Sequence, residues 1–116
     1  MIFITPQIKV RLFSHAIDFR NGIDGLAGVC RTHFDEDPFS GVVFLFRNRK
    51  STSVKILVYD GQGFWLCQKR LSEGRFRHWP KSQEDAGELT AREINVLLFN
   101  GDPVGSHMAA VWRKVG

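Results

Sequence analysis

The chain has 116 residues, a formal net charge of +4 and a hydrophobic content of 43%, which together suit one globular domain with its own core. It contains neither an apolar run of the ~20 residues that a membrane span needs nor the basic N-terminal segment of a signal peptide, so we expect a cytoplasmic protein. Its two cysteines, Cys30 and Cys67, lie far apart without metal-binding spacing, which argues against a disulfide framework or a zinc site, and we expect no cofactor.

The first third of the chain is predicted to form a short strand and a helix. The strand covers residues 10–13. Asp18 is expected to cap a helix that begins near Phe19 or Arg20, because Asp commonly accepts hydrogen bonds from the first helical amides. Spacings of three and four residues define one apolar helix face, which consists of Ile23, Leu26, Ala27, Cys30 and Phe34. A turn around Pro38 ends this element.

Three strands are predicted for the middle of the chain. Residues 42–46 form a continuous apolar run, which indicates a central strand covered on both faces. Residues 54–59 and 64–71 form the next two strands, with a hairpin turn at 60–63 between them. Connections this short exclude parallel crossovers, so the three strands are expected to form an antiparallel meander.

An extended stretch and a second helix are predicted after the meander. Residues 75–79 form the extended stretch, which Pro80 ends. Thr90 and Glu93 have the spacing of a capping box, in which each residue satisfies an exposed amide of the other. An apolar helix face follows them, and Asn100-Gly101 ends the helix.

Residues 1–101 are expected to form one α+β domain, an antiparallel β-meander sheet with two helices packed mainly on one face. Residues 102–116 follow as a weakly patterned tail, and the sequence leaves open whether this tail is ordered or disordered. The sequence does not determine the oligomeric state either.

Basic residues are concentrated between Arg47 and Lys81. This segment holds nine of the 16 Lys and Arg residues of the chain but only two of its 12 Asp and Glu residues. The remainder of the chain therefore has a net negative charge. A basic centre inside an acidic frame is typical of a protein that contacts a polyanion such as DNA.

Two basic segments are the strongest candidates for DNA contact. The cations of the polar turn 47–50 could neutralise phosphates, or they could simply keep the turn solvated. In an extended chain Arg75, Arg77 and Trp79 project to one side, so they could hold a phosphate and stack a base. The alternative is that Trp79 packs in the core and leaves both arginines in solvent.

Further cations lie on the predicted hairpin and the first helix. Lys55, Lys69 and Arg70 belong to the hairpin, and the adjacent Lys69 and Arg70 should point to opposite faces, so at most one of them joins a common surface. Arg20 could form an ion pair with Asp24, four residues further on, or contact DNA or a protein. The candidate residues for DNA contact are Arg20, Arg47, Arg49, Lys50, Lys55, Arg70, Arg75, Arg77 and Trp79.

No catalytic or metal site is predicted. Asp18 is better explained as a helix cap, and Asp37 and Asp60 as turn residues, than as the paired metal ligands of a nuclease. Cys67 stands two positions before Lys69, where a restriction-type nuclease would have a carboxylate. No Ser/His/Asp or Cys/His arrangement has a supporting motif, so we do not expect an enzyme.

Four ordered sequence blocks carry a family resemblance. They are DFRNGIDGL at 18–26, DPFSG at 37–41 with FLFRNRK at 44–50, VKILVYDGQG at 54–63, and KRL at 69–71 with GRF at 74–76 and Trp79-Pro80. In this order and spacing they resemble the TnpB-type accessory protein that the second reading frame of IS66 insertion sequences encodes. The resemblance covers most of the chain, about residues 10–101.

The resemblance implies an accessory role in DNA transposition, next to a separate large transposase that performs the strand chemistry. It assigns no catalytic residue. Because the apolar runs are too short for a membrane span, we expect no membrane partner. Three hypotheses follow. The chain could bind DNA at the transposon ends, or it could be an adaptor that contacts the transposase or another small accessory protein of the same element. The least supported hypothesis is an independent metal nuclease.

Overall fold

A four-stranded sheet forms the centre of the computed structural model, which describes residues 8–101. The strands, in their spatial order, are β1 (Val10–Ala16), β2 (Val43–Arg47), β3 (Ser53–Tyr59) and β4 (Phe64–Arg70). The helices are α1 (Ile23–His33), α2 (Gln83–Gly87) and α3 (Ala91–Leu98). The predicted α+β class is confirmed, whereas the predicted tail 102–116 lies outside the described residues. None of the helices described is long and apolar enough to cross a membrane.

The sheet is mixed. Strands β2, β3 and β4 pair antiparallel, which confirms the predicted meander. Strand β1 pairs parallel with β2, so the prediction of a purely antiparallel sheet was wrong for this strand. Parallel neighbours need a long crossover connection, and α1 provides it between β1 and β2.

Helices cover both faces of the sheet. Phe44 and Phe46 of β2 pack in a core with α1, while Val43 and Leu45 pack in a second core with α2 and α3. The prediction that the helices lie mainly on one face was therefore wrong. The continuous apolar run of β2 is the physical reason, because alternate side chains of a strand point to opposite faces and both faces then need a cover.

Helix α1 begins later than predicted. Its N-cap is Gly22, which makes no side-chain capping bond, so the expected cap at Asp18 was wrong. The Asp18 carboxylate instead accepts a hydrogen bond of 2.9 Å from the backbone amide of Arg20. Residues 18–21 form a turn before the helix, in which the Asn21 amide donates to the Asp18 carbonyl at 3.1 Å.

The outer edge of β1 is covered by side chains. The Gln83 amide donates to the carbonyl of Leu12 at 2.7 Å and accepts from the amide of Ser14 at 3.1 Å. The Trp79 indole donates to the carbonyl of Phe13 at 3.0 Å. Strand pairing therefore stops at β1, because side chains already satisfy the backbone groups on this side.

Helix α3 begins with the predicted capping box. The Thr90 hydroxyl accepts from the Glu93 amide at 3.2 Å, and the Glu93 carboxylate accepts from the Thr90 amide at 2.9 Å. Helix α2 was not predicted, because Ala86 is the only buried residue in its five positions and gives no helical periodicity.

Candidate nucleic-acid interface

One end of the sheet collects most of the candidate cations. Strands β1, β2 and β4 end there, and β3 begins there. The pairing shows this: the last residues of β1 and β2, Ala16 and Arg47, lie opposite each other. The first residue of β3, Ser53, lies opposite the last residue of β4, Arg70. The chain after β4 returns to the same place, where the Phe76 amide donates to the Ser51 carbonyl at 2.7 Å. We call this region the basic end, and its exposed cations are Arg20, Arg49, Lys50, Arg70 and Arg75.

The turn between β2 and β3 holds Arg49 and Lys50 at the tip of the basic end. Asn48 organises this turn: its side-chain oxygen accepts from the Thr52 amide at 2.8 Å and from the Ser53 amide at 3.1 Å. Arg49 and Lys50 are exposed, and neither makes an ion pair with any residue in the range 8–101. The turn backbone is therefore fixed while its two cations stay free to bind a ligand.

Two shallow grooves flank this turn. The first, of about 580 Å³, is lined by Arg49, Lys50, Thr52, Gly74 and Arg75. The second, of about 600 Å³, lies between the turn and the loop after β1 and is lined by Ala16, Ile17, Asp18, Phe19, Asn48, Arg49 and Lys50. The structure thus brings three predicted cations, Arg49, Lys50 and Arg75, into one groove.

Arg47 ties the turn to β1 and does not point freely into solvent. Its guanidinium donates to the carbonyl of Ser14 at 3.1 Å, and to the carbonyl of Asn48 and the hydroxyl of Ser51, both at 3.3 Å. Partial burial lowers the pKa of Arg47 from its ordinary value. Because Nε and Nη1 of its guanidinium donate inside the protein, Arg47 supports the shape of the basic end.

Lys55 is buried, with only 8% of its surface exposed. Its ammonium donates to the carbonyls of Phe19 and Asn21, each at 2.9 Å, and lies 4.9 Å from the centre of the Phe19 ring. These contacts hold the loop between β1 and α1 against the sheet. The sequence alone could not reveal them, because they join residues more than 30 positions apart.

Trp79 belongs to the core rather than to the predicted cationic surface. It is 6% exposed, and its ring meets that of Phe76 at 6.2 Å between centroids. Residues 75–79 contain a turn at Arg77-His78 and are not extended, so the predicted alternation of side chains was wrong here. Arg75 and Arg77 remain exposed, and the Arg77 amide donates to the Asn100 side chain at 3.2 Å, away from the groove that Arg75 lines.

Arg20 forms an ion pair with Asp18, not with Asp24 as the sequence suggested. The guanidinium lies 2.6 Å and 2.9 Å from one carboxylate oxygen of Asp18. The Arg20 guanidinium holds the pKa of Asp18 at about 2, below its ordinary value, and Asp18 raises the pKa of Arg20 in turn. The pair is exposed, so part of the positive charge of Arg20 is offset where DNA would approach.

Lys69 and Arg70 point to opposite faces of β4, as predicted. The Lys69 ammonium donates to the carbonyl of Leu98 at 2.6 Å and lies 4.7 Å from the centre of the Phe99 ring. Partial burial lowers the pKa of Lys69. Arg70 lies opposite Ser53 at the basic end and is exposed.

Aromatic residues occupy the other end of the sheet, and the sequence analysis missed this cluster. Phe39, Tyr59 and Phe64 form three ring contacts with centroid separations between 4.9 and 5.1 Å. Phe39 is 48% exposed, and the guanidinium of Arg31 lies 5.7 Å from its ring centre. We call Phe39, Tyr59 and Phe64 the aromatic end. Two signals in the sequence could have indicated this cluster. Phe39 follows the turn residues Asp37-Pro38, and Tyr59 and Phe64 flank the hairpin turn at residues 60–63.

The acidic residues of the turns have local hydrogen-bonding roles. Asp37 accepts from the amide of Phe39 at 2.9 Å. Asp60 accepts from the amides of Gln62 and Gly63 at 2.8 and 2.9 Å, and these bonds lower its pKa. The predicted turn roles of both residues are confirmed. Within the described part of the chain, no group of three or more His, Cys, Asp or Glu side chains is placed to hold a metal ion.

Comparison with known proteins gives the family. The family model described as "IS66 Orf2 like protein" matches residues 8–105. The chain is also similar to two uncharacterized proteins of Sinorhizobium fredii. It is 32% identical to y4hO over 112 residues, which cover 95% of each chain. It is 26% identical to y4jC over 102 residues, which cover 88% of this chain and 86% of y4jC. No solved structure matches significantly. The resemblance seen in the four sequence blocks is thus confirmed: the chain belongs to the family of IS66 Orf2-like proteins, which gives it an accessory role in transposition.

Proposed function

We propose that this chain is a non-catalytic accessory protein that binds DNA at the ends of its insertion sequence, next to a separate transposase. One observation carries the proposal: Arg49, Lys50 and Arg75 are exposed and line one groove at the basic end. The groove is open and shallow, which suits a rod of phosphates better than an enclosed small molecule.

The charges around the groove favour an anionic ligand. The segments that form the basic end, residues 16–20, 47–53 and 70–75, contain only two acids, Asp18 and Glu73. Asp18 is already paired with Arg20. The other four exposed cations of the basic end make no ion pair within residues 8–101, and three of them, Arg49, Lys50 and Arg75, line one groove. Guanidinium and ammonium groups bind phosphate oxygens by charge-assisted hydrogen bonds. Such contacts position a protein on the DNA backbone and do not by themselves select a sequence.

A triple variant tests the proposal. We expect Arg49→Ala, Lys50→Ala and Arg75→Ala together to weaken binding to a transposon-end duplex roughly 10- to 100-fold at about 0.1 M salt, because phosphate contacts release counterions. Fluorescence anisotropy with a labelled duplex measures the affinity. Equal binding by the triple variant and the wild-type protein would refute the role of the groove.

A matched control removes the same charge elsewhere. Lys9, Arg31 and Arg92 are exposed and lie away from the basic end: Lys9 precedes β1, Arg31 contacts the aromatic end, and Arg92 lines a groove with Ile8. Replacing these three by Ala changes the net charge by the same amount. We expect the control to keep most of the affinity, whereas a loss as large as that of the first variant would indicate a response to net charge alone.

The second candidate function is an adaptor that contacts the transposase or the other small accessory protein without touching DNA. The exposed ring of Phe39 at the aromatic end favours it, because exposed aromatic clusters commonly serve protein contacts. Copurification of the tagged chain with each protein of the element tests this function. It predicts capture that Phe39→Ser abolishes; failure to capture any of them would exclude it.

A further inference from the structure

The sheet has two outer edges, and residues 8–101 cover only one of them. Side chains of Gln83 and Trp79 bond to the edge of β1, as described above. Among the strands of the described range, β4 pairs with β3 alone. Within residues 8–101, no hydrogen bond from another element reaches the outer backbone groups of β4. An open edge of seven residues is a template for pairing with another strand.

The register shows which backbone groups of β4 face outward. The Leu71 amide donates to the Thr52 carbonyl, and the Asp60 amide donates to the Gly63 carbonyl. These two hydrogen-bonded pairs mark the two ends of the ladder between β3 and β4. Hydrogen-bonded and non-bonded pairs alternate in antiparallel strands. The odd-numbered residues of β4 therefore bond to β3, and the outward-facing backbone groups belong to Phe64, Leu66, Gln68 and Arg70.

Exposed aromatic side chains flank this open edge. Trp65 is 59% exposed and Phe99 is 52% exposed, and they are two of the three large hydrophobic residues that are strongly exposed in the described chain. Lys69 could have guarded the edge with its charge, as edge lysines often do. Its ammonium is instead held on the α3 face by the carbonyl of Leu98 and the ring of Phe99.

We propose that β4 pairs antiparallel with β4 of a second copy of this chain, which joins two four-stranded sheets into one eight-stranded sheet about a two-fold axis at Cys67. Phe64 of each copy then bonds to Arg70 of the other, and Leu66 bonds to Gln68. Trp65 lies opposite Lys69 of the other copy.

The charge pattern of β4 selects a second copy as the occupant. Its first two residues, Phe64 and Trp65, are aromatic, and its last two, Lys69 and Arg70, are cationic. Antiparallel pairing of identical strands sets the aromatic half of each copy against the cationic half of the other. The exposed Arg70 of one copy then lies opposite Phe64 of the other, where a cation–π contact is favourable. Antiparallel pairing also keeps the like charges at opposite ends. If the two β4 strands were shifted by two residues relative to each other, residues at the strand ends would lose their partners. The register centred on Cys67 pairs all seven residues of β4.

The first test measures the mass of the full chain by size-exclusion chromatography with light scattering. We expect a dimer, and we expect Gln68→Pro to weaken the dimer at least tenfold, because proline removes an outward amide that β3 does not use. Gln68→Ala is the matched control and should remain dimeric. A monomeric wild-type protein at about 100 µM would overturn the proposal, and so would a dimeric proline variant with unchanged affinity.

A second variant covers the case in which proline disturbs folding. Trp65→Lys changes an exposed side chain whose indole makes one hydrogen bond, to Asp60. It places a lysine opposite Lys69 of the second copy, so we expect a monomer with a native circular dichroism spectrum. A stable dimer of this variant would overturn the proposed pairing.

Cys67 reports the register directly. Non-bonded antiparallel pairs have Cα atoms about 4.5 Å apart, within the range of a disulfide. Diamide, which accepts the two hydrogens that two thiols lose, should give a dimer-sized band on a non-reducing gel for the wild-type protein and for Cys30→Ser, but none for Cys67→Ser. Cys30 is fully buried and serves as the control. A dimer that does not crosslink would overturn the register, and a monomer that binds the transposase through this edge would overturn self-pairing.

Discussion

Replacing Lys55 by Met separates the structural cations of this protein from those that we propose to bind DNA. The substitution keeps the aliphatic stem and removes the ammonium, which donates to the carbonyls of Phe19 and Asn21 at 2.9 Å each. The sequence placed Lys55 in the basic surface with Arg49 and Lys50. The structure places its ammonium inside the protein, so the two roles predict opposite results.

The expected loss follows from the contacts. Hydrogen bonds from a charged donor contribute about 1.5 to 3 kcal/mol each, and the Phe19 ring adds a cation–π contact of roughly 1 kcal/mol. Removing a buried charge also relieves its desolvation, and the two carbonyls belong to half-buried residues that water can reach. We therefore expect Lys55→Met to lower the free energy of unfolding by about 2 kcal/mol, and the melting temperature by about 10 °C.

Urea unfolding followed by tryptophan fluorescence measures this loss. Lys50→Met is the matched control, because Lys50 is exposed and makes no ion pair in the described chain; its stability should stay within about 0.5 kcal/mol of wild type. DNA affinity should show the reverse order, weakened by Lys50→Met and unchanged by Lys55→Met below its melting temperature. A Lys55→Met protein that is as stable as wild type but binds DNA poorly would refute the structural role.

Three further predictions follow from single side chains. Trp79→Phe should lower the free energy of unfolding by about 2 kcal/mol in urea titrations, since it removes the hydrogen bond to Phe13 and some buried ring surface, and it should leave the salt dependence of DNA binding unchanged. Thr90→Ala should cost about 1 kcal/mol by the same assay because it removes the cap of α3; no measurable loss would contradict the capping box. Arg20→Ala should raise the pKa of Asp18 from about 2 towards its ordinary value in an NMR titration, and an unchanged midpoint would show that the ion pair does not form in solution.

Local signals in the sequence predicted the parts of the fold that neighbouring residues determine. The hairpin signal at residues 60–63, the apolar run of β2 and the capping box at Thr90 each depend on a few adjacent positions, and the structure confirms all three. The parallel pairing of β1 was not predicted, because it depends on where α1 returns the chain. The cap at Asp18 was not found because α1 begins only at Ile23, and the Asp18 carboxylate accepts from the Arg20 amide in a turn before the helix.

The residues of the candidate site also divide into those that local sequence predicts and those whose contacts are distant in the chain. The exposed position of Arg49 and Lys50 was predicted because a polar turn between two apolar strands must lie at a sheet end, where it meets solvent. Lys55 was placed on this surface because of its charge. For Trp79 the sequence left two roles open, stacking a base or packing in the core, and the structure shows the second. The actual partners of these two side chains, the carbonyls of Phe19 and Phe13, are 36 and 66 positions away in the chain, and no local pattern indicates such contacts.

The salt dependence of DNA binding tests the central claim most directly. The logarithm of the association constant for a transposon-end duplex should fall linearly with the logarithm of the salt concentration, with a slope of about −0.9 for each phosphate contact. The account predicts that replacing Arg49, Lys50 and Arg75 by Ala makes this slope shallower by about 2 to 3, and that the Lys9, Arg31 and Arg92 control keeps it. A wild-type protein that does not bind at low salt, or two equal slopes, would contradict it.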